Sequence, residues 1–479
     1  VSEQHRPGFG IAIMAAGKGT RLKSKRPKVL HEIGGKPLLL HVLDAALAIV
    51  PADAVTVIIG HQAETVRSTV EAATRTAGVR FVLQAEQRGT GHALQQVKAA
   101  FAGLTPPEHL LVLSGDVPLI RPETIAAIRD FHLAEHAAMT ILTAIPPDPT
   151  GYGRVVRKSP GSAEALAIVE QKSLAPDQQN LPEINSGIYA FQTASLFNHL
   201  DQLDTDNAHG EFYLTDVARL MVDAGERVVA LAADDIDEVL GANTIVEIMH
   251  LDAALRLATA KRLMASGVTI FRPETCVIDA TVEVGPDTIL EPFVQLLGAT
   301  VIGSDCRIRS YSVVQDSILG DRVLVRNGCI LDSSTVADDA TLGPYAHLRT
   351  ASHIGKGAHI GNFVETKKST IGEGSKAGHL SYIGDAVVGA GVNIGAGVIT
   401  CNYDGVNKNQ TTIGDDVFVG SDSTLIAPLT LGNRSYVGAG SSITDNVPSG
   451  ALALGRSRQV TKEGWADRKR EARVAKESS

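Results

Sequence analysis

Ile413-Gly414-Asp415-Asp416-Val417-Phe418-Val419-Gly420 places two aliphatic–glycine pairs six residues apart. The same beat runs outward in both directions, at Ile354-Gly355, Ile360-Gly361, Val388-Gly389, Ile394-Gly395, Leu431-Gly432 and Val437-Gly438. A six-residue unit is far too short for a helical repeat. Each unit sends one branched apolar side chain inward, and its glycine is expected to let the backbone turn at a corner. Three units close a triangular coil, and stacked coils bury a continuous ladder of Ile, Val and Leu. The expectation is a parallel β-helix from about residue 284 to 444. Such a solenoid can also serve assembly alone, since a fold does not dictate a function.

The rest of the chain has a different texture. The 479 residues carry enough apolar material for more than one large core, with 44% hydrophobic and 20% charged residues, as in an ordinary soluble protein. A net charge of −9 argues against a general nucleic-acid binder. Cys276, Cys306, Cys329 and Cys401 form neither a C-x-x-C pair nor a disulfide framework, which fits a reducing cytoplasm. The polar start, residues 1–7, shows no signal peptide, and no apolar run reaches membrane-spanning length. Apolar runs at 11–14, 55–59 and 110–113 read as buried strands alternating with helices at 38–49 and 63–73, an α/β domain with a mainly parallel sheet. Residues 245–264 contain no Gly or Pro and read as a long connecting helix that Gly267 ends. The expected layout is an α/β domain (1–241), a helical linker (242–266), the β-helix (267–453) and a charged, loosely ordered tail (454–479).

Met14-Ala15-Ala16-Gly17-Lys18-Gly19-Thr20-Arg21 follows the first strand directly. Small residues let backbone N–H groups approach an anion, and Lys18 and Arg21 add positive charge. It is not a P-loop, because the preceding Gly is missing, and Leu22 stands where a dinucleotide fingerprint needs its third Gly. Taken alone it is equally a tight turn. Lys28 adds a cation, and residues 84–93 add a second polar, Gly-containing segment. Ser114-Gly115-Asp116 closes the third strand, so Asp116 points from a strand's C-terminal end into the usual ligand crevice. A carboxylate there suits Mg²⁺, although an isolated Asp after a strand also serves as a helix cap.

Within the repeat, Arg349, Glu365, Lys367, Lys368, Lys376, His379, Tyr382 and Asn393 lie on neighbouring coils, where a solenoid needs only apolar and corner residues. A lone His on a coil is ordinarily a packing or surface residue. After Ile399-Thr400-Cys401 the beat is broken by residues 402–408, and such interruptions map to projecting loops. Cys401 reads as a structural thiol.

Residues 284–444 resemble the hexapeptide-repeat acyltransferases, whose coils wind left-handed against the usual crossover rule. Residues 15–30 and 84–93 resemble the sugar-phosphate nucleotidyltransferases with their Rossmann-like α/β domain. Nearly the whole chain resembles the bifunctional bacterial enzymes that make UDP-N-acetylglucosamine for cell-wall synthesis. The resemblance implies that Met14, Ala15, Ala16 and Gly17 cradle UTP and that Lys28 meets its phosphates. Gln84 would face uracil, with Gly89, Thr90, Ser114 and Gly115 completing that wall; many relatives carry Tyr at position 114. Asp116 and Asn243 would hold Mg²⁺, and Gly153, Glu170 and Asn185 the amino sugar of N-acetylglucosamine 1-phosphate. On the β-helix it implies His379 as general base, with Arg349, Lys367, Tyr382 and Asn393 gripping glucosamine 1-phosphate. Ala396, Asn402, Tyr403, Ser421, Ala439 and Arg456 would line an acetyl-CoA site between subunits of a homotrimer. The alternatives are a nucleotidyltransferase whose β-helix serves only assembly or regulation, and a scaffold without catalysis.

Overall fold

The computed structural model describes residues 8–73, 76–207 and 210–477; the polar start lies outside them. The chain divides into two compact units, up to Ala258 and from Thr259, so the division falls inside the long helix Ile245–Ala265.

The first unit is built on a twisted sheet whose strands run in the order Val228–Ala232, Met139–Ala144, Ile184–Gln192, His109–Ser114, Phe9–Met14, Val55–Ile59 and Arg80–Leu83. All pairs are parallel except those of Ile184–Gln192, which runs antiparallel to both neighbours. The apolar runs identified from sequence form the centre: Ile11, Ile13, Val57, Ile59, Leu111 and Leu113 are buried and pack together under the helices. From Phe9–Met14 the chain moves outward to Val55–Ile59 on one side, then returns to His109–Ser114 on the other. The carboxyl ends of the first and last of these strands therefore flank a topological switch point, where ligands bind in open α/β sheets.

The second unit is a three-sided parallel β-helix, with faces of eleven, ten and nine short strands. Along one face Val336, Ile354, Ile371, Val388, Ile413 and Leu431 stand in register, all buried in a single core that extends from Ala260 to Val447. The ladder begins earlier than the sequence beat, because Thr269–Ile270 already pairs with Ile289–Leu290.

The glycines of the beat have a different task from the expected one. Gly355, Gly361, Gly389 and Gly395 are absent from the positive-φ backbone positions, which fall instead at residues such as Gly357, Gly374, Gly391, Asp339 and Asp416. A Cβ on Gly355 would lie 2.8 Å from the Gly372 carbonyl carbon and the Glu373 nitrogen of the next coil. These glycines allow coils to approach; the left-handed corners fall two residues later, often at Gly or Asp, which tolerate that conformation, but also at Phe363, Arg322 and Arg434.

The tail also departs from expectation. Trp465–Glu477 is a helix with every residue exposed, because it is rich in good helix formers and carries an Arg473–Glu477 pair at 2.8 Å. No helix among the described residues is long and apolar enough to cross a membrane.

Candidate functional sites

At the switch point a cavity of about 530 Å³ opens, and its lining includes Met14, Ala15, Ala16, Gly17, Lys28, Gln84, Gly89, Thr90, Ser114 and Asp116. Ten of the residues chosen for nucleotide binding are thus brought together from segments distant in sequence. Gly19 makes this possible: it sits at φ 60°, and a Cβ there would stand 2.7 Å from the Lys28 Cβ. Gly115 supports the wall rather than lining it, its N–H donating to the Met14 carbonyl at 2.9 Å.

The charged centre is compact. The Lys28 ammonium forms an ion pair with Asp116 and donates to Asn243 Oδ1 at 2.9 Å. Arg21 donates to the same Asn243 oxygen at 2.7 Å. Asn243 is fixed by the start of the long helix: Glu247 accepts from the Asn243 and Thr244 amides, while Thr244 Oγ1 accepts from the Glu247 amide at 3.2 Å. That is a capping box. Ser114 donates to Asp116 Oδ1 at 2.5 Å and orients that carboxylate. Asp116 Oδ2 and Asn243 Oδ1 converge on one position of positive charge, here taken by the Lys28 ammonium. Two hard oxygen donors with phosphates close by are the set Mg²⁺ takes, so these residues fit that ion.

Gln84 lines the cavity with one end of its amide held. Its amide nitrogen is already engaged, donating to the Gly89 carbonyl at 3.0 Å and meeting His92 Nδ1 at 3.1 Å. Only the amide oxygen is left for a base. Gly153, Glu170 and Asn185 form a separate cluster beyond the cavity lining. The Asn185 N–H donates to the Gly153 carbonyl at 2.9 Å, its Nδ2 donates to Tyr189 at 2.8 Å, and Thr215 donates to Glu170 at 3.1 Å.

On the β-helix, His379 ends the strand Lys376–His379 and Tyr382 begins the next face, with a left-handed corner at Leu380 between them. His379 Nδ1 hydrogen-bonds to Oδ1 of Asn362, its register partner on the preceding coil. The amide oxygen accepts, so Nδ1 carries a proton, and in the neutral tautomer that this favours the lone pair lies on Nε2. Arg349 and Lys367 are register partners on successive strands, and Arg349 is tied to Glu365 at 2.7 Å. The Lys367 ammonium is pulled below its ordinary pKa chiefly by the charge of Lys408, then by that of Arg349. Three cations therefore crowd one patch, as a phosphate site requires. Asn393 pairs with Lys376 on the same face as His379.

Asn362 and Lys408 were not chosen from sequence. Lys408 lies in the interrupting loop, pinned by Asp404, whose carboxylate accepts from the Asn407 and Val406 amides at 2.7 and 2.8 Å. Those bonds hold the Asp404 carboxyl below the usual range. Of the residues chosen for acetyl-CoA, Ala396, Ser421 and Ala439 are stacked on successive coils: the Asp422 amide donates to Ala396, and the Gly440 amide to Ser421. Asn402 is tied to Asp385, and Tyr403 is exposed on the loop. Among the described residues no hydrogen bond or ion pair joins Arg456 to that stack.

A family model described as MobA-like NTP transferase domain matches residues 11–211, and one described as Hexapeptide repeat of succinyl-transferase matches residues 410–445. The solenoid is thus the left-handed β-helix of hexapeptide-repeat proteins. The chain is 61% identical over 463 residues to the Bifunctional protein GlmU of Koribacter versatilis (strain Ellin345), covering 96% of this chain and 97% of that protein. Proteins of the same name from Solibacter usitatus (strain Ellin6076) and Pelobacter propionicus (strain DSM 2379 / NBRC 103807 / OttBd1) are 48% identical over 460 residues and 44% identical over 453. These alignments cover 96% and 95% of the chain, and 97% of each relative.

Proposed function

Because the chain belongs to the family of bifunctional GlmU proteins, we propose that it carries out two consecutive transfers yielding UDP-N-acetylglucosamine. The first moves acetyl from acetyl-CoA to the amine of glucosamine 1-phosphate on the β-helix. The second moves uridylyl from UTP to N-acetylglucosamine 1-phosphate in the α/β unit, releasing pyrophosphate.

In the first reaction Arg349, Lys367 and Lys408 hold the sugar phosphate, with Tyr382 and Asn393 placing the ring. An amine attacks a thioester only with its lone pair free. In the neutral ring, Asn362 accepts from Nδ1–H and so directs the lone pair to Nε2, which removes the amine proton as the C–N bond forms. The C–S bond breaks, and the leaving thiolate takes from His379 the proton that came off the amine, departing as the CoA thiol. No acyl-enzyme forms, so Cys401 has no role in the chemistry. The single observation that carries this reading is the Asn362–His379 pair beside the cation patch, polar equipment that a purely structural coil does not need.

In the second reaction the loop 14–21 and Lys28 cradle the triphosphate, and Gly153, Glu170 and Asn185 hold the amino sugar. A phosphate oxygen of the sugar attacks the α-phosphorus in line and pyrophosphate departs, a reaction governed by positioning and charge neutralisation. Asp116 and Asn243 would hold Mg²⁺, which supplies charge neutralisation on the triphosphate when bound. Lys28, relieved of its pairing with Asp116, is then available to the phosphates.

A homotrimer in the cytoplasm completes the reading, with acetyl-CoA lying between subunits. It is supported by an exposed ladder of stacked rings, Phe293 on Tyr311 at 5.2 Å and Tyr345 on Phe363 at 5.5 Å, and by four free cysteines. The test is thiol release from acetyl-CoA on adding glucosamine 1-phosphate without UTP, repeated for His379→Ala and Asp116→Ala. His379→Ala is expected to lose about two orders of magnitude or more of acetyl transfer while keeping uridylyl transfer. Asp116→Ala is expected to show the reverse. No thiol release from folded protein that still makes the nucleotide sugar leaves a one-reaction enzyme on a structural stem.

A further inference from the structure

Behind the nucleotide cavity lies a chain of side chains that the two reactions do not otherwise use. Gln84 is buried and reaches the cavity, and its amide nitrogen contacts the Gly89 carbonyl at 3.0 Å and His92 Nδ1 at 3.1 Å. A backbone carbonyl only accepts, so the nitrogen of Gln84 must face it and the oxygen must face elsewhere. The His92 nitrogen that meets the same amide must then offer a lone pair. That places the ring proton on Nε2, which lies 3.1 Å from the terminal amide of Gln96. The structure sets the Gln96 Nε2 against that nitrogen, and turning the Gln96 amide over brings its oxygen there to accept the proton, the orientation that this tautomer demands.

The neighbours keep this chain in place. The His92 ring stacks along Phe212, with centroids 6.3 Å apart, and the Gly91 amide donates to the Phe212 carbonyl at 2.8 Å. Gly89 sits at φ 108°, where a Cβ would stand 2.5 Å from the same carbonyl oxygen, so the carbonyl it presents to Gln84 is fixed by close packing. No hydrogen bond to the Gln84 side-chain oxygen is found among the described residues.

We propose that His92 is a positioning residue that locks the Gln84 amide with only its oxygen presented to the nucleobase. The cavity then selects a base with an imide N–H, the chemistry of uracil and thymine, and rejects cytosine, which presents a lone pair at that ring nitrogen. This deepens the uridylyl-transfer reading and rests on it. A buried polar group left facing its own kind discriminates more strongly than a missing methylene does.

The test uses the full chain with N-acetylglucosamine 1-phosphate, comparing UTP with CTP for the wild type, His92→Leu and His92→Asn. Circular dichroism and the thermal transition of the same samples report that the α/β unit of each variant is folded. His92→Leu is expected to raise KM for UTP about tenfold with kcat within about twofold, the effect of one mis-set hydrogen bond. It should also lower the UTP-to-CTP ratio of kcat/KM by about tenfold. His92→Asn, whose side-chain oxygen accepts where Nδ1 did, is expected to restore both. An unchanged ratio in His92→Leu overturns the proposal, as does equal loss of kcat in both variants with the ratio intact, since the ring then only fills space. Wild-type protein that uses CTP as readily as UTP also overturns it. Wild-type protein that forms no nucleotide sugar from either refutes instead the uridylyl-transfer reading beneath it.

Discussion

Gly361→Ala is the substitution whose consequence the β-helix fixes most tightly. Gly361 lies on the strand His359–Asn362, directly beneath Gly378 of the strand that carries His379. A Cβ at position 361 would stand 2.5 Å from the Gly378 carbonyl carbon and 2.9 Å from its Cα, and would overlap the carbonyl oxygen outright. Unbonded carbons need about 3.5 Å, so the two coils must separate by about 1 Å. The His359 N–H donates to Ser375 at 2.9 Å and the Leu380 N–H to Asn362 at 3.0 Å. Stretched by about 1 Å, both pass beyond hydrogen-bond reach. Two broken ladder bonds with their groups left in place cost roughly 2–5 kcal/mol. For a unit running from Thr259 to the end of the chain, that is a fall of about 5–15 °C in its Tm. The displacement also parts Asn362 from His379, so acetyl transfer should fall while uridylyl transfer persists. The control is Gly378→Ala, where a Cβ meets nothing within 4 Å and the Tm should barely move. Calorimetry and the two activity assays decide the matter. A Gly361→Ala protein with an unshifted β-helix transition and full acetyl transfer would show that the coils are not held at this separation, and the argument for the glycine beat would fail.

Asn362→Leu is expected to lower kcat for acetyl transfer about 10- to 100-fold through loss of the fixed tautomer, while Asn362→Asp, which keeps an acceptor, retains most of it. Steady-state kinetics across pH check this, and an unaltered profile in the Leu variant would count against a positioning role. In the α/β unit His132 is fully buried, meeting Thr140 at 2.8 Å and His109 at 3.2 Å, and burial first and the nearby His109 second push its pKa down to about 4. An unfolded histidine titrates near pH 6.5, so the folded state gains nothing from this group above that value and loses stability as pH falls toward 4, by about 3 kcal/mol in all. Denaturant titrations between pH 7 and 4 should show that loss, and His132→Gln should remove it; an identical slope in the variant would refute the assignment.

The β-helix was legible because its core demands one branched side chain at every sixth position, and that demand is written directly into the chain. The reason for the glycines was not, because close approach between coils depends on neighbours 17 or more residues away, and local turn chemistry is the nearer explanation. Asn362 shows the limit in one step. Counting 17 residues back from His379 gives Asn362, whereas counting 18 gives Gly361, and coils of both lengths occur: Lys376 pairs with His359, but His359 with Thr341. In the α/β unit the fully apolar strands were plain, whereas Ile184–Gln192 was not, because its first half carries Asn185, Ser186 and Gly187 and breaks the apolar run. Lys28, Asp116 and Asn243 could be gathered only through the family resemblance, since no spacing links residues so far apart.

The two sites also differ in what holds them. At the switch point, Lys28, Asp116 and Asn243 come from three separate segments of the chain and meet through one ammonium. The position of each depends on the charge of the others, and phosphates or a metal that redistribute that charge can rearrange them. On the β-helix, His379, Asn362, Arg349 and Lys367 are placed by strand register, and the inward side chains beneath them are buried without exception: Leu348, Ile360, Thr366 and Ala377. Only the loop that brings Lys408 lies outside that ladder. A ligand can therefore reorganise the cavity at the switch point by exchanging one ion pair, whereas the register-placed residues on the β-helix, the proposed acetyl-transfer site, stand in position without one. Deleting Gly378, inside the strand rather than at a corner where coil length varies, is expected to move His379 one residue along the pleat, away from Asn362, and to lower acetyl transfer, while the uridylyl site, with its own core, would remain.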